Sequence, residues 1–84
     1  MIYTREIEGF GNWRLDNNAP DKKWRLTFTV GEGDYRHRIA IYDSAERAAA
    51  AIGYGRLLHP LWDRHLDARS PSVPLSKWKK ESVT

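Results

Sequence analysis

Trp13-Arg14-Leu15 and Trp24-Arg25-Leu26-Thr27-Phe28-Thr29-Val30 share one alternating pattern, and Tyr35-Arg36-His37-Arg38-Ile39-Ala40-Ile41-Tyr42 continues it. Successive side chains of an extended strand point to opposite faces, so the alternation sorts these residues into two sets. The first is Trp13, Leu15, Trp24, Leu26, Phe28, Val30, Ile39 and Ile41; the second is Arg14, Arg25, Thr27, Thr29, Arg36, Arg38 and Tyr42. If the three segments pair into one sheet, the first set faces a core. The second becomes a stripe of four arginines flanked by hydroxyl groups.

The intervening residues fit short connections. Asp16-Asn17-Asn18-Ala19-Pro20-Asp21 is a dense turn signal, and the glycines of Gly31-Glu32-Gly33-Asp34 supply the positive φ that a hairpin loop needs. Strands over 12–16, 23–30 and 35–42 then form an antiparallel meander. Residues 2–10 follow no clean period and read as an extended lead-in.

At Asp43 the period changes from two to about 3.6. Asp43 is the expected N-cap, with Glu46 three residues on, and Ala45, Ala48, Ala49 and Ile52 make one apolar face. Methyl side chains let such a helix lie close to the sheet, with Trp24, Phe28 and Ile41 filling the gap, and Gly53-Tyr54-Gly55 ends it. A second, shorter helix follows Pro60, with Trp62 and Leu66 closing the core. From Ser70 the prolines forbid regular pairing, and Val73, Leu75 and Trp78 fold the segment back. The expected fold class is α+β: a three-stranded antiparallel meander packed on an Ala-rich helix, with a short second helix and an extended C-terminal tail. Residues 1–69 form the domain and 70–84 the tail.

Eighty-four residues support one core, and four Trp, four Tyr and two Phe supply much of it. The chain has no cysteine, which excludes a disulfide framework and thiolate metal sites and fits a reducing, cytoplasmic compartment. No apolar stretch approaches the roughly 20 residues that span a bilayer, so no membrane partner is expected. The net charge of +3 permits a polyanionic partner without requiring one.

Two readings of the arginine face stand side by side. Arginine's planar fork donates paired hydrogen bonds to phosphate oxygens or a guanine edge, and Thr27, Thr29 and Tyr42 add uncharged donors. An antiparallel sheet with one solvated face also needs polar residues there, and arginine stems serve that purpose.

The junction Ile41-Tyr42-Asp43-Ser44-Ala45-Glu46-Arg47-Ala48-Ala49, preceded by a Trp- and Arg-bearing meander, resembles that of the plant ethylene-response-factor type DNA-binding domain. It is also similar to the arm-binding N-terminal domain of phage integrases, which has the same three-strands-plus-helix plan. In those families the outer sheet face enters the major groove. The resemblance implies that role for Arg14, Arg25, Arg36 and Arg38. Ala40 departs from the glycine usual in the plant family, Trp13 and Trp24 read as core residues, and the chain after Gly53 has no counterpart.

Other chemistry is weakly supported. His37, His59 and His65 lack zinc-ligand spacing, with His37 expected on the apolar side of its strand and His59 at the short helix's cap. Asp16, Asp21, Glu32 and Asp34 sit in turns, and nothing joins Ser44 and His65 to an oxyanion hole. Gly31-Glu32-Gly33 is too short for a phosphate loop. Neither an enzyme nor a cofactor is expected. Lys77, Trp78, Lys79 and Lys80 form a possible secondary surface, or an anchor for the tail with solubilising lysines.

The function expected is a small non-enzymatic binding module, bacterial or from a mobile element, whose sheet face contacts nucleic acid. The alternatives are a protein-binding inhibitor or adaptor of phage or plasmid type, similar to anti-CRISPR proteins, and a dimerisation domain pairing through an edge strand at 12–16. A monomer or a homodimer fits these readings.

Overall fold

Five strands realise the alternating pattern: β1 (Ile2–Ile7), β2 (Gly11–Asp16), β3 (Trp24–Val30), β4 (Arg36–Tyr42) and β5 (Lys79–Glu81). The structure, a computed structural model, describes residues 1–31 and 36–81. All neighbouring strands are antiparallel, in the order β4-β3-β2-β1-β5. A seven-residue helix α1 (Ala45–Ala51), a single-turn helix α2 (Pro60–Asp63) and two 3-10 turns, Leu66–Arg69 and Leu75–Lys77, complete the described elements.

The expected three-stranded meander is therefore part of a larger sheet. The lead-in is β1, joined to β2 across a turn in which the Phe10 amide donates to the Ile7 carbonyl at 3.0 Å. The tail returns as β5 against the free side of β1, with Lys79 opposite Thr4 and Glu81 opposite Ile2. Trp78, just before β5, is 5% exposed and belongs to the core cluster, on which Val73 and Leu75 also pack. Prolines 71 and 74 stop pairing before that point without preventing a strand after it. Segment 70–81 is thus built into the fold rather than appended. Strand β2, expected at an edge, lies in the middle of the sheet, so pairing of a second copy through 12–16 is closed off.

The inner face carries Trp13, Leu15, Leu26 and Phe28, each at most 1% exposed. Trp13 meets Phe28 at 4.5 Å between ring centroids and Trp62 edge-on at 5.0 Å. Helix α1 covers β3 and β4 with Ala45, Ala48 and Ala49 buried. Its cap is Ser44, one residue later than expected: the Ser44 Oγ accepts the Arg47 amide at 3.1 Å, and Asp43 remains exposed. Trp62 closes the core, but Leu66 is 79% exposed because it opens a 3-10 turn instead of continuing α2.

A second correction comes from β4. Leu26 pairs with Ala40 and Thr27 with Arg38, leaving Ile39 as an extra residue, a β-bulge. One inserted residue exchanges the faces of everything beyond it. Tyr42, opposite Trp24, joins the inner face and packs on the core, and Ile41, opposite Arg25, turns outward and is 56% exposed. The bulge and two exposed arginines also guard β4 as an edge against pairing with another strand.

Gly11 is required by close approach: a Cβ there would fall 2.1 Å from the Thr29 carbonyl oxygen. Trp78→Ala should lower unfolding free energy by about 3–5 kcal/mol, as expected for a buried aromatic. Urea denaturation measures this; a loss below about 0.5 kcal/mol would mean that the C-terminal segment is dispensable to the fold.

Candidate nucleic-acid interface

Strand register assembles the outer face into transverse rows. One runs Lys79–Thr4–Arg14–Thr27–Arg38 across all five strands, alternating cation and threonine. The next, on one side, is Glu6–Asn12–Thr29–Arg36; on the other side lies Glu81–Ile2–Asp16–Arg25–Ile41. Adjacent strands are about 4.8 Å apart, so the row's cations recur at roughly 10 Å. Cations concentrate on β3 and β4, which carry Arg25, Arg36 and Arg38; β2 carries Arg14 with Asp16, β5 carries Lys79 with Glu81, and β1 carries Glu6.

Of the sequence-derived candidates, Arg14, Arg25, Thr27, Thr29, Arg36 and Arg38 share this face. Tyr42 does not; the bulge moves it to the covered side, where burial pushes its hydroxyl pKa up. The secondary cluster is divided. Trp78 is core, Lys79 joins the arginine row, Lys80 lies opposite Tyr3 with inner-face parity, and Lys77 is exposed in its 3-10 turn. Glu32 and Asp34 lie outside the described residues.

The four arginines differ in their partners. Arg25 donates twice to Asp21, with Nη1–Oδ1 and Nη2–Oδ2 both at 3.0 Å. Asp21 also accepts the Lys23 amide at 3.0 Å, forming the turn before β3. Arg14 Nε lies 3.6 Å from Asp16, a looser pair. Arg36 and Arg38 are exposed and have no ion-pair partner among the described residues. Around them an open groove of about 740 Å³ is lined by Arg25, Thr27, Arg36, Arg38 and Ile41. A hollow of about 330 Å³ continues past Arg14, Thr29 and Asn12.

Arg5 was missed as a structural cation. It sits opposite Trp13 on the inner side, and its guanidinium lies 3.7 Å from Asp67, joining β1 to the 3-10 turn. Burial lowers its pKa while Asp67 opposes that shift. An odd position in β1, in register with Trp13, was the available signal, but β1 had to be recognised first.

The histidines are placed by packing. His37 lies opposite Phe28 and its ring meets His59 edge-on at 5.3 Å. His59 is the N-cap residue of α2 but makes no side-chain capping bond. The side-chain cap is instead at His65, whose Nδ1 accepts the Asp67 amide at 3.2 Å while its ring stacks 9° from parallel with Trp62. Among the described residues no three His, Cys, Asp or Glu side chains are grouped to hold a metal ion. Nor is any helix among them long and apolar enough to cross a membrane.

No family model, curated protein or solved structure matches this chain.

The Arg25–Asp21 pair carries a pH signature. Hydrogen bonds from Arg25 and from the Lys23 amide lower the Asp21 pKa from 3.8 to about 2. Its stabilising effect is complete above the ordinary carboxylate range and is lost as pH falls through about 2. Carboxyl NMR titration should find Asp21 as a low-titrating aspartate, and Arg25→Ala should return it toward 3.8. An unchanged Asp21 titration in that variant would contradict the pairing.

Proposed function

We propose that the outer sheet face is a nucleic-acid-binding surface, with Arg36 and Arg38 as the principal contacts and Arg14, Lys79 and the threonines extending them. The observation that carries this reading is that Arg36 and Arg38 are exposed, with no ion-pair partner among the described residues, beside the cation–threonine row. Guanidinium groups held by none of the described carboxylates give up none of the described ion pairs when they meet phosphate. Arg25, already clamped by Asp21, serves as a fixed charge at the groove's edge.

Duplex is favoured over single-stranded partners. Single-strand binders stack bases on aromatic rings, whereas the outward positions of the five strands hold only Arg, Lys, Thr, Asn, Asp, Glu and Ile. Three adjacent strands measure about 10 Å across, close to the roughly 12 Å of a B-form major groove. Glu6 on β1 and Glu81 on β5 repel phosphate, which centres the footprint on β2–β4 with Lys79 as its outlying cation.

Ile41, an exposed aliphatic side chain in the same groove, favours a second reading in which this face meets a protein. Salt separates the two. Fluorescence anisotropy with random-sequence duplex DNA should show affinity falling steeply with salt, the log–log slope decreasing by about 0.9 for each phosphate contact removed. Arg36→Ala with Arg38→Ala should lower that slope and weaken binding while leaving the melting temperature unchanged. Absence of salt-sensitive binding at micromolar protein would overturn the nucleic-acid reading.

A further inference from the structure

On the opposite side of the molecule, the layer covering the inner face holds a surface that the sheet's function does not use. Six large apolar residues are exposed among the described ones, and Tyr54, Leu58, Leu61 and Leu66 account for four of them. Leu58 and Leu66 are the extreme cases, at 83% and 79% exposure. They belong to neighbouring segments. The Tyr54 amide donates to the Ser70 carbonyl at 3.1 Å and the Gly55 amide to the Ala68 carbonyl at 2.5 Å, fastening loop 53–58 alongside the 66–69 turn. That turn in turn contacts α2.

The backbone of this loop is unusual. Tyr54 and Leu58 both have φ of 52°, two of the three non-glycine residues with positive φ among the described residues. Side chains with a β-carbon occupy that region at a cost, and the surroundings must hold them there. Gly53, with φ of 125°, provides the anchor, since a Cβ there would come within 2.7 Å of the Ser72 amide nitrogen and 2.8 Å of the Ser70 carbonyl oxygen. Leu57 of this anchored loop packs on the core, but Tyr54 and Leu58, its two non-glycine residues with positive φ, are displayed to solvent and gain no burial.

The charges indicate what covers it. The exposed charged residues from Tyr54 to Arg69 are all basic: Arg56, Arg64 and Arg69. The two carboxylates are partly buried, with Asp67 tied to Arg5. Arg56 lies over the Tyr54 ring at 5.7 Å, leaving its charge beside the apolar residues. A second copy placed symmetrically here would bring arginine against arginine, and leucines at 83% and 79% exposure offer a duplex's phosphate backbone neither charge nor hydrogen bonds. We propose that loop 53–58, α2 and the 66–69 turn form a docking surface for a partner protein presenting an apolar helix face rimmed by acidic residues. Tyrosine and arginine are the residue types that dominate such contacts.

The test titrates the full 84-residue chain with a synthetic amphipathic peptide carrying leucines at i, i+3, i+4 and i+7 and flanking glutamates. A twin with lysine in place of glutamate and phosphatidylglycerol vesicles are the comparison arms. The glutamate peptide should bind with Kd on the order of 100 μM and shift amides of residues 54–58 and 66–69, and the lysine twin should bind at least about tenfold more weakly. Leu58→Ser with Leu66→Ser should abolish the shifts with the fold intact. Leu58→Gly should raise the melting temperature, by relieving the positive φ, while weakening the peptide. Arg36→Ala with Arg38→Ala should leave peptide binding unchanged, separating this surface from the sheet face. Equal binding of the two peptides, no binding of the glutamate peptide, vesicle binding alone, or a lower melting temperature for Leu58→Gly would each overturn the proposal.

Discussion

Trp13 is the packing constraint on which the architecture depends. It occupies the middle of the sheet's inner face, is fully excluded from solvent, and is flanked in register by Arg5 on one side and Phe28 on the other. A ring of this size removes roughly 150–250 Å² from water only if a second layer meets it. That layer comes from far along the chain: Trp62 edge-on at 5.0 Å, with Trp78, Ile52 and Ala68 in the same cluster. The segment after α1 is thus a structural necessity. Without α2 and its following turns, the central tryptophan of a small sheet would face water. The Trp13, Trp62 and Trp78 indole N–H groups make no hydrogen bond among the described residues, so these rings contribute area and shape rather than polar contacts.

The readable part of this fold was the part governed by local periodicity. Alternation located β2, β3 and β4 and put Trp13, Leu15, Leu26 and Phe28 inside, and methyl periodicity located α1. Two features escaped it for physical reasons. The outer strands β1 and β5 pair across nearly the whole chain length, and Ile2-Tyr3-Thr4-Arg5-Glu6-Ile7 carries too weak a period to identify them. The bulge at Ile39 is a property of two strands in register, invisible in either one; Ile39-Ala40-Ile41 reads as clean alternation until Leu26 is found opposite Ala40. Four arginines could be assigned to one face from the sequence, because those on β4 precede the bulge. Tyr42 and Ile41 follow it, and they exchanged sides. Arg25's clamp, and the lack of an ion-pair partner for Arg36 and Arg38 among the described residues, also required coordinates, since Asp21 and Asp16 are not marked as partners by the strand pattern.

The resulting molecule has two chemically distinct sides. The sheet's open face is basic toward β4 and charge-balanced at β5, with hydroxyls between its cations and no aromatic ring on the outward strand positions. The covering layer ends in a strained loop where tyrosine, leucine and arginine stand out together. The proposed contacts are independent, because each side is built on different elements and the core lies between them. The two proposals together describe an adaptor that joins a polyanion to a protein.

The outward face of β2, β3 and β4 is the proposed working surface for a duplex. That role is tested most directly by mapping amide chemical shifts of the intact chain on addition of a short DNA duplex at low salt. The account predicts changes concentrated at Arg14, Thr27, Thr29, Arg36 and Arg38, with Tyr42 and residues 54–58 unmoved. Changes centred on the 54–69 surface, or no changes on β3 and β4, would contradict it.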